Sequence, residues 1–487
     1  MLNQQRGATI HNLMGAPANE MVQGQPKRAL ILAHQLEQEI IEAGWPVGSV
    51  LGTEFELLER LSVGRGVLRE AARLLEDQHI AKMRRGRGGG LVVLEPNVIA
   101  VADSIAIFLE SLNVSSDDIF EARQVLDLFA VELAADRIDE KHSAKLRELL
   151  IEEKEADEKD IVGGSHRQMH AAIAEASGNP AIAVLGKVLS LLSDDLDVMR
   201  GRRSDEAVRR LADGVHRAHE AIVEALISGD GLLASHRMLK HLTVLHQEHI
   251  HQIDQPAAPT REPTTSGQTG RALARRIRRD IAKLGWPTGQ NLGSEMELLE
   301  RYGAGRAGLR EAVRILEYHA AVEMRRGPGG GLIVRNPDGE AVVRAATLQL
   351  EYLGIRRADL FEAREALEIA TLGLAIQRLT IEGRARLALT LEHEADWSAL
   401  DFGKSSHNFH VIIAELSGNK TLQLFIAILV QINLARTPRR AEPISQAVIE
   451  LNDRAHRRIA EAILDGDTPL ARRRMRLHLR SLGDSTA

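Results

Sequence analysis

Residues 51–93 read LGTEFELLERLSVGRGVLREAARLLEDQHIAKMRRGRGGGLVV, and the reading of this stretch decides the fold. Its pattern is a short helix, a turn, a longer helix from Gly64, then two short strands around a glycine-rich tip. Arg65, Arg69 and Arg73 recur every fourth residue, so three cations share one stripe of the second helix. Leu68, Ala72 and Leu75 form the neighbouring stripe, suited to packing against the preceding helix. A helix that is apolar on one side and basic on the other is the form a helix-turn-helix uses in the DNA major groove.

The same block returns downstream. Trp45-Pro46 recurs as Trp286-Pro287, ELLER at 56–60 recurs at 297–301, and LREA at 68–71 recurs at 309–312. MRRG at 83–86, GGGL at 88–91 and FEAR at 120–123 recur at 324–327, 329–332 and 361–364, all displaced by 241 residues. SGN at Ser177 returns 240 residues on and GD at Gly229 returns 237 residues on. One constant offset that slips only late signals duplication of a two-domain unit. Chance similarity of Arg/Leu/Ala-rich helices does not reproduce that many ordered matches.

Working outward, residues 1–24 form a tail without periodicity, and Pro26 opens an apolar-periodic helix that stops at Gly44 before Trp45-Pro46. Strands are expected at 80–83 and 91–94, closing a winged helix-turn-helix domain over 25–96. Residues 97–253 read as a bundle of six or seven helices, with Ser116 as one cap and helices over 166–177, 181–198, 207–227 and 232–250. The Pro/Thr/Ser/Gly-rich segment 254–269 is a linker. A second winged helix-turn-helix over 270–337 and a second all-α bundle over 338–487 complete a mainly α protein.

Composition agrees. A chain of 487 residues with 44% apolar content suits two to four domains, and 3% aromatic residues with few strand patterns suit helices with small β wings. The net charge of −6 excludes a generally basic coat protein, so nucleic-acid binding has to come from local Arg clusters. Scarce aromatic residues argue against base-stacking platforms for single strands. The absence of cysteine excludes disulfides, a thiol nucleophile and a Cys-type zinc knuckle. The first residues lack the order of a signal peptide and the apolar run 425–430 is too short for a bilayer, so a cytoplasmic protein is expected.

With these residues laid out, the chain resembles the GntR family of bacterial transcription regulators, in its FadR subfamily. The resemblance rests on GWPVGSVLGTEFELLERLSVGRGVLREAARLLE with MRRGRGGGLVV, and on GWPTGQNLGSEMELLERYGAGRAGLREAVRILE with MRRGPGGGLIV. DIFEAR and DLFEAR, and AEASGNP and AELSGNK, extend it into the helical regions. Members are usually single-copy chains that pair as homodimers, so the tandem arrangement is a departure. By the resemblance, Arg65, Arg69, Arg85 and Gly86 match DNA-contacting positions, as do Arg306, Arg310, Arg326 and Gly327; Arg84 and Arg325 are added on charge alone. Gly64, Gly66 and Ala307 stand where relatives often carry small hydroxyl residues that bond phosphates. A nucleotide-loop reading of the glycine-rich tip fails, because the tip lacks the third glycine of one pattern and the Lys of the other, and a strand follows it.

His166 and His170 stand at i, i+4 on one helix face, a spacing that points two imidazoles at one ion. His219 and His241 lie 22 residues apart, His456 and His478 keep that separation, and His410 matches His170. In the resembling family an Asp and three His hold a divalent metal inside the bundle. The Asp position here is His166 in the first copy and Ser406 in the second. An all-imidazole first site suits Zn, Ni or Cu more than Mg or Ca. Set against this, a single buried His is more often a hydrogen-bonded core residue than a ligand. Arg123 and Arg364 match a position that faces the effector cavity, where a metal plus an Arg suits a small carboxylate. The plain alternative is an Arg paired with a nearby Glu on the helix surface.

The expectation is a ligand-responsive regulator of double-stranded DNA, a repressor released by a small carboxylate metabolite. Its two readers would act as an internal pseudo-dimer, with further homodimerisation left open. The competing readings are a metal-responsive regulator and a metal-dependent enzyme using the His cluster.

Overall fold

The structure is a computed structural model that describes residues 28–77, 79–86, 88–156, 164–192, 205–253, 270–325, 327, 329–337, 339–395, 402–436 and 446–484. The expected tail and linker lie outside the described residues, as do residues 193–198 of the helix expected over 181–198. The chain divides into two compact units that cut across the repeat. One contains both helix-turn-helix regions (residues 15–108 and 268–354) and the other both helical regions (residues 109–267 and 355–487).

In the first of these units, α1 (Arg28–Glu42), α2 (Glu54–Leu61), α3 (Arg65–Asp77), β1 (Ala81–Arg84) and β2 (Gly90–Val93) build the first reader. Thr53 caps α2 in a reciprocal capping box with Glu56, and Ser62 at φ 50° ends it, which sets the turn into α3. Met83 faces Leu91 across the antiparallel β1–β2 ladder. Trp45, at φ 54°, hangs its indole over the ladder and donates Nε1–H to the carbonyl of Leu94 at 2.9 Å. The second reader repeats this with α11 (Gly270–Lys283), α12 (Glu295–Tyr302), α13 (Arg306–Tyr318), β3 (Val322–Arg325) and β4 (Gly331–Val334), down to Trp286 on the carbonyl of Arg335.

The helix after each wing finishes the other reader's core. From α4 (Val98–Ser111), Ile107 joins the apolar cluster of the second reader, built on Leu273, Ile277, Leu309 and Leu332. From α14 (Gly339–Tyr352), Leu348 joins the cluster of the first reader, with Leu36, Ile40, Leu68 and Leu91, and Tyr352 packs against it. A small winged domain buries a modest share of its surface alone, so an added apolar wall matters.

The other unit holds two sets of helices: α5 (Ser116–Arg137), α6 (Glu140–Glu155), α7 (His166–Ala176), α8 (Pro180–Leu192), α9 (Asp205–Ile227) and α10 (Gly231–Ile253), then α15 (Arg357–Gln377), α16 (Ile381–Ala395), α17 (Phe402–Leu416), α18 (Lys420–Arg436), α19 (Gln446–Leu464) and α20 (Thr468–Asp484). Ser115, not the expected Ser116, caps α5: its hydroxyl accepts from the Asp118 amide, three residues on, as a cap requires. The repeated Ser-Gly-Asn explains itself here. Gly178 at φ 68° and Gly418 at φ 70° end α7 and α17 in a conformation that favours glycine. Asn179 then caps α8 through Ala181 N–H, at 3.0 Å. Its amide donates across to the second bundle, to the carbonyl of Asp359 at 2.9 Å and to Glu362 at 2.8 Å. Asn419 does the same in reverse, to the carbonyl of Asp118 at 2.9 Å and to Glu121 at 2.8 Å. Arg137 pairs with Glu362 and Arg378 with Glu121, so each contact has its mirror, the pattern of an isologous interface.

Asn179→Ala uncaps α8 and strips Glu362 and a buried carbonyl of a donor. It should cost about 1–3 kcal/mol, read as a lower denaturant midpoint with an unchanged slope.

Candidate nucleic-acid interface and metal centres

On the readers, Arg65 and Arg69 of α3 and Arg306 and Arg310 of α13 are all exposed. The neighbouring stripes, with Leu68, Ala72 and Leu75, and with Leu309, Val313 and Leu316, are buried. Burial of one stripe thus turns the arginines outward. Glu54, in the first turn of α2, takes Arg69 Nε at 3.1 Å, and Glu295 lies 3.6 Å from Arg310 Nε. These acids steer the long arms, and reading from sequence alone missed them.

Arg84, Arg85 and Gly86 at the first wing tip are exposed, as are Arg325 and Gly327 at the second; Arg326 lies outside the described residues. Gly86 at φ 98° and Gly327 at φ 101° turn the tip in the region that favours glycine. At the start of α13, Gly305 occupies the cap position and supplies no side-chain cap bond, in line with the hydroxyl residues missing there.

Inside the helical unit, the imidazoles converge: His166 and His170 at the i, i+4 spacing of one helix face, the others as the resemblance implied. His166, His170, His219 and His241 are all buried, with ligand atoms within 4.8 Å of one another; His410, His456 and His478 form a second such group. His166 Nδ1 lies 3.3 Å from His219 Nε2, and His170 Nε2 lies 3.3 Å from His241 Nε2. His478 Nε2 lies 3.1 Å from His456 Nε2 and 3.3 Å from His410 Nε2. Nitrogens bound tetrahedrally to a zinc-like ion stand roughly 3.3 Å apart, so both groups fit a divalent transition metal.

Buried carboxylates fix the tautomers. Asp127 accepts from His170 Nδ1 at 2.9 Å, Glu153 accepts from His219 Nδ1 at 2.8 Å, and Glu368 accepts from His410 Nδ1. Each bond holds a proton on Nδ1 and leaves the Nε2 lone pair facing inward, as a metal ligand needs. None of the three acids was singled out from sequence. Asp127 and Glu368 carried a signal, standing four residues after Arg123 and Arg364; Glu153 carried none. Burial pushes Asp127 and Glu368 up, but neighbouring charges outweigh it. His170 and Arg123 hold Asp127 below its usual value, and Arg364 and His410 hold Glu368 down to about 2. Both stay ionised.

Arg123 and Arg364 are buried rather than on the helix surface, and each does pair with a carboxylate. Their remaining nitrogens differ. Arg123 Nε donates to Asp127 at 3.1 Å, and Nη2 meets His166 Nε2 at 3.1 Å. Arg364 Nε donates to Glu368 at 2.7 Å, while Nη1 and Nη2, both buried, meet no partner among the described residues. Two unpaired guanidinium nitrogens beside the inward Nε2 of His410 suit a ligand that is negatively charged and rich in acceptors.

Comparison with known proteins now decides the family. The model of the FCD domain matches residues 118–244 and 359–481, and that of the bacterial regulatory proteins of the gntR family matches residues 29–90 and 269–331. The chain belongs to the GntR family. It is a ligand-responsive, DNA-binding transcription regulator with each of its two domain types present twice. The HTH-type transcriptional regulator LutR of Bacillus subtilis is 29% identical, over 40% of this chain and 89% of its own length. The Uxu operon transcriptional regulator of Escherichia coli is 30% identical, over 43% and 81%. The putative L-lactate dehydrogenase operon regulatory protein of Escherichia coli is 28% identical, over 44% and 83%. Each relative is matched over most of its length by less than half of this chain, as a single-unit regulator is. Among solved structures, Streptococcus agalactiae GntR matches 45% of this chain and 99% of its own at 24% identity, with a TM-score of 0.35. No helix among the described residues is long and apolar enough to cross a membrane.

Burial holds His170 down to about 4 and His456 down to about 3. In metal-free protein the unfolded chain therefore binds more protons than the folded one below the ordinary value of about 6.5. Their contribution is fully present above that pH and is lost as pH falls toward 4 and then 3. Denaturant midpoints of the chelated protein should drop steadily from pH 7 to pH 5; a flat profile would show these imidazoles solvated.

Proposed function

We propose that the chain is a repressor that grips two operator half-sites and is released by a small carboxylate metabolite. Arg65, Arg69, Arg84, Arg85 and Gly86 read or hold one half-site, and Arg306, Arg310, Arg325, Arg326 and Gly327 the other. The mirrored contacts of Asn179 and Asn419 support an internal pseudo-dimer. The readers differ at Gly66-Val67 against Ala307-Gly308, so the operator is an imperfect palindrome. Acting on DNA, the protein belongs in the cytoplasm.

The orphan nitrogens of Arg364 carry the effector reading. A carboxylate can accept both Nη groups while an oxygen approaches a metal held by His410, His456 and His478, where three imidazoles leave a coordination position open. A divalent zinc- or nickel-like ion there supplies Lewis acidity; the residues themselves bind and orient. In the first bundle His166 offers a fourth imidazole: with its Nδ1 on an ion the proton would move to Nε2, the contact with Arg123 Nη2 would be given up, and the tetrahedral shell would close. That closed set favours a second reading for the first bundle, in which the ion itself is what is sensed. A regulator named for an L-lactate dehydrogenase operon among the relatives agrees with carboxylate control. None of the relatives compared above is named as an enzyme, which leaves the enzyme alternative without support from them.

Anisotropy against the chain's own promoter region tests this. Arg69→Ala with Arg310→Ala should weaken binding by roughly 10–100-fold or more, since each bidentate base contact is worth about 1–3 kcal/mol. Equal affinity of the wild type for promoter and random duplex at moderate salt would overturn the DNA reading.

Carboxylates such as L-lactate and citrate should release the complex in the wild type and in Arg123→Gln, but not in Arg364→Gln. Release by chelator alone, with no response to carboxylate, favours the metal-sensing alternative.

A further inference from the structure

The two seams where a reader meets the other half's helix carry opposite charge. On the first reader, α1 presents His34 and Glu37 to Arg344 of α14, whose Nη1 donates to His34 Nε2 and whose charge acts on the buried carboxyl of Glu37. On the second, the equivalent positions of α11 hold Arg275 and Arg278. The residue equivalent to Arg344 is Asp103 of α4, which lies 3.9 Å from Arg275 and 4.0 Å from Arg278. Acid and base have changed places between the copies. Asp103 and Arg278 are largely shielded, with side chains 14% and 12% exposed, so water screens them little.

The rest of each seam is also specific to its pair. Tyr352 packs edge-on to Trp45 with ring centroids 5.9 Å apart and donates to Glu95 at 3.2 Å. Its equivalent in the first half is Ser111. Ser104 lies 3.1 Å from His319 Nδ1, and the equivalent of Ser104 is Ala345.

Pairing between equivalent halves of two chains would bring Glu37 against Asp103, and Arg275 and Arg278 against Arg344. The second is a like-charge encounter, the first sets a carboxyl that burial already pushes up to about 7 beside another acid, and the bonds of Tyr352 to Glu95 and of Ser104 to His319 are lost in both. The bundle interface does not discriminate in this way. Arg137 with Glu121 and Arg378 with Glu362 offer the same complementary pair in either arrangement.

We propose that the seams are a charge code that pairs each half with the unlike half and rejects pairing between like halves of two chains. Duplication alone leaves the choice open, since identical halves pair equally well within and between chains. Repulsion in the unwanted pairing removes that choice. This deepens the internal-pairing reading above, and its test uses no DNA, so failure of the operator reading leaves it standing.

Light scattering of the full chain at micromolar concentration should give the mass of one chain, 53.5 kDa. Asp103→Arg with Arg344→Asp makes both native seams like-charged and the between-chain seams complementary. It should shift the protein to two-chain or larger species and lower its melting temperature by several degrees. Adding Glu37→Arg, Arg275→Glu and Arg278→Glu restores opposite charges at both native seams, and should return the mass and recover the melting temperature. This rescue keeps the test decisive even where the two-residue variant aggregates. An unaltered two-residue variant, or a five-residue variant without rescue, would overturn the proposal.

Discussion

A winged helix is too small to bury a generous core by itself, and this constraint shapes the reader unit. Each reader leaves an apolar wall for a helix that the other half supplies, Leu348 for the first and Ile107 for the second. The stripe of α3 or α13 that packs inward fixes which side faces out, so the exposed arginines are a by-product of how the core closes. Reader geometry in either half therefore depends on a segment far away in sequence.

In the helical unit the organising interaction is the hydrogen bond from a buried imidazole Nδ1 to a buried carboxylate. Asp127, Glu153 and Glu368 orient the rings, stay ionised through neighbouring charge, and leave inward lone pairs that suit a cation. Buried charges of this kind are costly unless fully engaged. In the first bundle Arg123 finds two partners; in the second Arg364 finds one among the described residues, where two of its nitrogens stay unpaired. At the position of His166 in the first copy, the second copy has Ser406.

Much of this was legible in the sequence because its signals are local or repeated. The helix-turn-helix, the wing and the duplication follow from spacing, and the clustering of the seven histidines from the family resemblance. What escaped has a common character. Choosing Ser115 over Ser116 needs the phase of a helix start, which adjacent serines do not reveal. Glu153 reaches His219 only once helices distant in sequence are packed. Exchange of α4 and α14 is invisible because their apolar faces fit either reader. Asp103 and Arg344 carry no local signal, because their partners lie in the other half.

The mirrored Asn179 and Asn419 contacts have one more consequence. Both sides of that interface are made by a single polypeptide, so its assembly is a unimolecular step. A two-chain regulator falls apart when its copy number drops below its dissociation constant, whereas here dilution leaves the local concentration of one half around the other unchanged. Occupancy of DNA should then rise with the first power of protein concentration, and the few molecules present in a newly divided cell remain whole.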